Sequence, residues 1–343
     1  MKIFIDIGHP AHVHYFRNFI KIMESKGHEF LVTARDRQYV FELLDAYGIK
    51  YVNRGKGSDC ALGKILYLFK TSIKILSLSR KFRPDLFIDF GTIYPCLSSF
   101  LLQKRHVVFE DTEITGLYRL FYKPLVTEIY TPECFEINLG RKHKRFSGYM
   151  ELTYLHHNYF SPDKSVLKEA GVEEGETFSI VRFVNWKAAH DIGSGGLEED
   201  DKITLIRILE KYGKVFISSE IPLQEELQKY KLNIGAEKLH SLMHYASLVA
   251  GESATMASEA VILGTPAIYI DSAGRGYTRD LEKRYGILFN YTPDRENIDD
   301  AIRKAEKILS SKNMKVKALK IRERIISDSV DVTKLMTEIT ESH

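Results

Sequence analysis

Residues 247–270 read Ser-Leu-Val-Ala-Gly-Glu-Ser-Ala-Thr-Met-Ala-Ser-Glu-Ala-Val-Ile-Leu-Gly-Thr-Pro-Ala-Ile-Tyr-Ile. Leu248–Ala250 has the length and apolar character of a buried strand. Gly251, Ser253, Ala254 and Thr255 are small residues that suit the open start of a helix over Ser253–Leu263. Gly264 stops that helix, and Pro266–Ile270 is the next strand. A strand, a small-residue turn, a helix and a strand form the repeating unit of a parallel sheet. Free N–H groups and the positive end of the helix dipole make such a start a place for an anion, with the Ser253 and Thr255 hydroxyls as further donors. Glu259 lies one to two turns further in, where a carboxylate can accept hydrogen bonds from a ribose diol. An ordinary capped helix with a solvated Glu explains the same letters, because Ser and Thr are favoured at helix starts. On the residues alone both readings stand.

The same rhythm extends outward. Upstream lie a strand at Phe178–Phe183, a helix at Glu199–Tyr212 and a strand at Val215–Ser218. Downstream, helices are expected at Thr278–Tyr285 and Ile298–Ser310, then a charged helical tail from Met314 to Glu341. The first half repeats the alternation, with strands at Ile3–Ile7, His28–Thr33, Lys50–Val52, Leu86–Phe90 and His106–Phe109 and a last one at Glu128–Thr131. Helices at Val13–Lys26, Asp36–Tyr47, Leu62–Phe82 and Pro95–Gln103 lie between them. A chain of 343 residues fits two domains of roughly 100–200 residues each. The expected division is 1–147, a connection over 148–176, a second domain over 177–312 and a helical tail over 313–343.

The net charge of +3 is too small to mark a nucleic-acid binder. The three cysteines form no CxxC pair, so no zinc knuckle or redox dithiol is expected, and their sparse use fits a reducing compartment. No apolar run approaches the ~20 residues of a membrane span. No P-loop, HExxH, Gly-x-Ser-x-Gly or Gly-x-Gly-x-x-Gly motif is present, which argues against kinase, protease, esterase and dehydrogenase readings.

In a parallel sheet, ligands bind beyond the carboxyl ends of the strands. Three segments there carry chemistry. Gly8-His9-Pro10-Ala11-His12-Val13-His14 follows the first strand. Its histidines suit acid–base work or acceptor contact, with capping or backbone hydrogen bonds as the plainer reading. Glu110-Asp111-Thr112-Glu113 offers a base in Asp111 or Glu113, or simply an acidic helix start. Arg182 to Asp191 brings Arg182, Trp186, Lys187, His190 and Asp191 after one strand. Arg182 and Lys187 can neutralise a leaving diphosphate, and Trp186 can stack on a base or sugar. Glu220 ends a further strand, and Asp271–Tyr277 another. The helix Leu62–Arg83 has an apolar stripe and six basic residues, readable as a peripheral membrane contact or as a core-facing helix with a solvated face.

The pattern Gly-x-Ser-Ala-Thr-x-x-x-Glu-Ala-x-x-x-Gly-x-Pro at 251–266 resembles the donor-nucleotide segment of GT-B glycosyltransferases such as MurG. It is also similar to the Ser-Gly-Gly…Glu-Glu-Ala…Gly-x-Pro segment of hydrolysing UDP-GlcNAc 2-epimerases. The glycine-rich loop at Gly8–Val13 and the Lys26-Gly27-His28-Glu29-Phe30 stretch resemble MurG-type segments as well. Through Gly8–Phe16, Val108–Glu113, Arg182–Asp191 and Gly251–Pro266, the whole chain resembles domain-of-unknown-function family 354.

The resemblance implies a GT-B-like α/β fold: two Rossmann-type domains with parallel sheets facing across a cleft. It places diphosphate contacts on Ser253, Ala254 and Thr255 and a ribose contact on Glu259; the reading of the strand ends adds Arg182, Trp186 and Glu220 to the donor site. The strand-end residues place the acceptor near Gly8, His9 and His12 and the base among His12, His14, Asp111 and Glu113, of which Glu113 matches the Glu of the 2-epimerases' His-x-Glu-Ala-Gly pattern. The implied activity is a glycosyltransferase using a nucleotide-diphosphate sugar, with UDP preferred, in cell-envelope polysaccharide, glycolipid or glycoconjugate synthesis. Its acceptor is a sugar or a lipid-linked molecule, no metal or other cofactor is needed, and the setting is cytoplasmic, at the inner face of the membrane.

Two alternatives accompany this. One is a hydrolysing UDP-GlcNAc 2-epimerase, from which the chain departs where Gly-Asp-Thr reads Gly91-Thr92 and where His-Arg-Arg-Glu-Asn becomes Arg182-Phe183-Val184-Asn185-Trp186. The other is a non-catalytic nucleotide-sugar-binding protein.

Overall fold

The computed structural model describes residues 1–37, 39–58, 60–184, 196–219 and 221–342. It divides into two compact units, Met1–Tyr159 with Ser329–His343, and Phe160–Asp328.

The first unit is built on seven parallel strands, β1 (Lys2–Ile7), β2 (Glu29–Asp36), β3 (Val52–Lys56), β4 (Leu86–Phe90), β5 (Arg105–Phe109), β6 (Glu128–Pro132) and β7 (His143–Phe146). Their order is β3-β2-β1-β4-β5-β6-β7. The central strands are buried on both faces, as a sheet covered on both sides requires. Helices α1 (Pro10–Ser25), α2 (Val40–Ala46), α3 (Ala61–Phe82), α4 (Cys96–Leu101) and α5 (Gly116–Tyr122) make the crossovers, and α6 (Leu152–Leu155) follows.

Among the differences from the sequence expectation, three concern this unit and its neighbours in the chain. The first helix begins at Pro10 rather than Val13, because His9 caps it and Pro10 occupies its first turn. The sheet does not end at β6, the last strand expected in this unit: β7 adds a seventh strand, and its letters His-Lys-Arg-Phe carry no apolar alternation. The expected single tail is two helices that part company.

The second unit has five parallel strands in the order β12-β11-β10-β8-β9: β8 (Phe178–Phe183), β9 (Lys214–Ser219), β10 (Leu248–Gly251), β11 (Ala267–Ile270) and β12 (Leu288–Tyr291). Its helices include α7 (Ser165–Glu169), α8 (Glu199–Glu210), α9 (Leu239–Tyr245), α10 (Ala254–Ile262), α11 (Gly276–Tyr285), α12 (Arg295–Leu309) and α13 (Met314–Ser327). The core between sheet and helices joins Val181, Leu205, Ile217, Leu248, Ile268 and Ile298. The last helix, α14 (Val332–Glu341), belongs to the first unit. There Thr333 Oγ1 donates to Thr153 O at 2.7 Å and Arg105 Nη1 to Ile339 O at 2.8 Å.

Each strand order reverses once. In the first unit the chain leaves β1 toward β2 and returns to β4 on the other side. In the second it leaves β8 toward β9 and returns to β10. Adjacent loops diverge at such a point and leave a crevice at the strands' carboxyl ends, where ligands bind in open α/β sheets.

Candidate functional site

In the second unit the crevice lies at the ends of β8 and β10. Gly251 pairs with Arg182 across the two strands at φ +132°, and a Cβ on it would sit 2.1 Å from Arg182 O. Only glycine lets the chains approach this closely. Arg182, half-buried, donates from Nη1 to Ser218 Oγ at 2.7 Å, so its cation is held at the strand ends. Ser253 caps α10, its Oγ accepting from Met256 N at 3.3 Å. The helix is buried through Met256–Ile262, whereas Ser253 and Thr255 stay partly open to solvent. A partly open helix start beside an arginine has the charge to suit an anion.

Glu259 sits deeper. It is 4% exposed, and Oε1 lies 2.9 Å from His240 Nε2. The expected ribose ligand is therefore held in a buried His–Glu pair, not as a solvated carboxylate. Asp271, beyond β11, is equally committed: Tyr269, Ala273 N and Arg275 all donate to it.

Glu252 is a feature that sequence reasoning missed. Its buried carboxylate accepts from Val184 N at 3.0 Å and Leu197 N at 2.8 Å, tying the residues on either side of 185–195 to the start of α10. The signal was available: an acid between Gly251 and Ser253 has no place in a phosphate-binding turn unless its charge is already used. Trp186, Lys187, His190, Asp191 and Glu220 lie outside the described residues.

In the first unit the crevice lies between β1 and β4, and the three histidines separate there. His9 is the α1 cap, Nδ1 accepting from Ala11 N at 3.2 Å. His12 faces the crevice: Gly8 N lies 3.4 Å from its Nδ1, and its ring is 5.1 Å from that of Phe90. His14 is withdrawn, stacked on Tyr154 at 5.1 Å with Nδ1 3.4 Å from Tyr47 Oη and from Arg17 Nη1. Because the segment is helical, residues two apart point in different directions, so His12 and His14 do not converge on an ion.

Asp111, just past β5, is 6% exposed. Thr112 Oγ1 donates to its Oδ1 at 2.7 Å, and Tyr15 Oη to its Oδ2 at 3.4 Å. Tyr15 in turn packs on Phe90 and His12, which brings Asp111 and His12 into one cluster. Burial raises the Asp111 carboxyl to about 7 against the pull of the Thr112 hydroxyl, with help from Glu110 and Glu113. Burial, with Arg37 and Arg54 behind it, lowers His12 to about 3, so His12 is neutral at physiological pH. The Gly8 contact at Nδ1 leaves the His12 proton on Nε2. The other two acids of the run are engaged elsewhere: Glu110 pairs with Arg119 at 2.8 Å, and Glu113 Oε1 accepts from Glu136 N at 3.2 Å.

Beneath this cluster lies a buried network. Asp6 takes Arg54 Nε at 2.8 Å, Thr33 Oγ1 at 2.7 Å and Thr92 Oγ1 at 3.0 Å. Arg54, a further residue missed from sequence, lies 4.2 Å over the Tyr94 ring. Ser99, His106 and Asp89 form a chain with bonds of 2.8 and 2.7 Å, in the order of a hydrolytic triad. All three are fully buried and Ser99 donates to Cys96 O, so they brace β4 against β5 and present no nucleophile.

An uncharacterized protein of Methanocaldococcus jannaschii is 23% identical over 284 residues, covering 78% of this chain and 81% of that one. A Listeria monocytogenes structure assigned as a UDP-N-acetylglucosamine 2-epimerase superposes with TM-score 0.69 at 15% identity, covering 99% of this chain and 97% of that one. The spinosyn rhamnosyltransferase SpnG complexed with thymidine diphosphate superposes with TM-score 0.61 at 12% identity, covering 99% and 100%. At these identities the likeness establishes the fold, which is GT-B-like. The model of the family described as a protein of unknown function (DUF354) matches residues 1–337, and the chain belongs to that family.

Proposed function

We propose that this protein is an enzyme that uses a nucleotide-diphosphate sugar, a UDP-sugar first among them, and transfers its glycosyl group to an acceptor hydroxyl. The observation that carries the reading is the corner where Gly251 lets β10 close on Arg182 beside the open start of α10. A cation and unpaired helix N–H groups at one strand-order reversal suit a diphosphate. Ser253, Ala254 and Thr255 bind its oxygens, and Glu259, oriented by His240, takes the ribose.

Transfer needs a base for the acceptor and a counter-charge for the leaving group. In the first unit, ionised Asp111 is the base suited to the O–H proton that the acceptor loses as its oxygen bonds to the anomeric carbon. Neutral His12 donates from Nε2 to orient the acceptor. In the second, the bond from the anomeric carbon to the phosphate oxygen breaks, and the charge left on the diphosphate is met by Arg182 and the α10 N–H groups. A carboxyl near 7 is well matched to a base working at neutral pH.

Transfer is favoured over epimerisation because the strand-end Gly-Asp-Thr of the 2-epimerases reads Gly91-Thr92 here, and the carboxylates nearest Thr92, those of Asp6 and Asp89, are buried and already hydrogen-bonded. No helix of the described chain is long and apolar enough to cross a membrane. Cytoplasmic action on a cell-envelope acceptor remains part of the proposal.

Incubation with UDP-N-acetylglucosamine, with and without a panel of sugar and lipid-linked acceptors, tests the reading. UDP release that requires an acceptor supports transfer. Free N-acetylmannosamine and UDP without an acceptor would replace it with epimerisation.

A further inference from the structure

The helix α3 lies the wrong way round for a core element. Its apolar stripe, Leu62, Ile65, Leu66, Phe69 and Ile73, is 52–68% exposed, while the stripe it buries includes Thr71, Ser72 and Ser79. The core-facing reading of this helix is therefore corrected for most of its apolar positions. The exposure continues beyond α3. Phe100 and Leu101 of α4 and Leu120 and Phe121 of α5 are also more than half exposed.

These three helices share one face of the first unit's sheet. The chain runs from β1 to β2 to β3 in one direction, and from β3 to β4 to β5 to β6 in the other. With right-handed crossovers, α1 and α2 cover one face and α3, α4 and α5 the opposite one. The charge of that layer is one-sided. Residues 61–84, 91–109 and 114–127 contain no Asp or Glu. Lys64, Lys70, Lys74, Arg80 and Lys81 are exposed along α3. Spacing of four and then seven residues sets Lys70, Lys74 and Lys81 along one flank of the apolar stripe.

We infer that this face docks on an anionic lipid bilayer, with the apolar side chains entering the acyl boundary and the lysines meeting lipid phosphates. A second copy is a poor occupant, because a two-fold contact would press like-charged flanks together with no carboxylate on either side. Bare nucleic acid would leave the Leu, Ile and Phe side chains in water. The inference stands apart from the proposed reaction, since none of these residues belongs to either crevice.

The test is co-sedimentation of the full chain with sucrose-loaded phosphatidylcholine vesicles, with and without phosphatidylglycerol. The protein should pellet with the anionic vesicles, far less with the neutral ones, and less as salt rises. Lys64→Glu/Lys70→Glu/Lys81→Glu should weaken that binding at least about 100-fold, at the usual strength of a surface cation near an anionic membrane. Phe69→Ser/Ile73→Ser should weaken it as well. Both variants should keep the parent's thermal melt and its nucleotide-sugar binding. No pelleting with anionic vesicles, equal pelleting of the lysine variant, or a dimer in sedimentation analysis that Phe69→Ser/Ile73→Ser dissociates would each overturn the inference.

Discussion

Replacing Asp111 with Asn should make the protein more stable at alkaline pH and catalytically poor. The carboxyl ionises near 3.8 in an unfolded chain and near 7 in its buried place beside Tyr15 and Thr112. Between those values the folded state holds a proton that the unfolded state has lost. Stability from this group is therefore fully present below about pH 4 and declines as pH rises to about 7. At 1.36 kcal/mol per pKa unit, ionising Asp111 in place costs up to about 4 kcal/mol. Asparagine resembles the protonated form and carries no such cost. Urea unfolding of the two proteins across pH 5–8 isolates this one group, because all other titrations cancel in the difference. The variant should exceed the parent by about 2 kcal/mol at pH 5 and by up to about 4 kcal/mol at pH 8, so that the gap widens with pH, while transfer falls about 100-fold or more. Parallel pH curves, or a variant less stable than the parent at pH 8, would show that Asp111 ionises normally and is not the tuned base.

Other consequences are more local. Gly251→Ala drives a Cβ into Arg182 O and should cost at least about 3 kcal/mol in urea unfolding, through steric conflict and the positive φ together. Glu252→Ala deprives two backbone amides of their acceptor and should cost about 2–4 kcal/mol, with faster proteolysis near Val184 and Leu197 as a second readout. Glu259→Ala leaves His240 buried without its carboxylate and should lower stability by about 1–3 kcal/mol, whereas Glu259→Gln should retain most of the fold, so that any loss of nucleotide binding in the latter reports on ribose contact.

The parallel sheets were legible because short, mostly apolar runs with aromatic and β-branched residues, such as Leu86–Phe90 and Phe178–Phe183, read as buried strands, and both match their expected bounds. The strands β7 and β12 were not. Each has four residues, and Leu288-Phe289-Asn290-Tyr291 sits between turn residues with no periodicity to mark it. The turn at Gly251–Ser253 could be read because glycine, serine and threonine have few other uses at such a point. What local pattern could not supply was the direction of side chains on a helix whose first turn was placed three residues late. That shift made His14 look like a neighbour of His12. Arg54 was invisible for a different reason, and so were the partners of Glu252: Asp6 in the one case, Val184 and Leu197 in the other, lie tens of residues away, and only the fold brings them together.

The most direct measurement of the central claim is titration calorimetry of UDP against the protein and its Arg182→Ala variant. A charge-assisted hydrogen bond contributes about 1.5–3 kcal/mol, so the variant should bind roughly 10- to 100-fold more weakly while its thermal melt without ligand stays near that of the parent. Equal affinity in the two proteins, or no binding heat from UDP or any other nucleoside diphosphate, would contradict the assignment of the β8–β10 crevice as a diphosphate site.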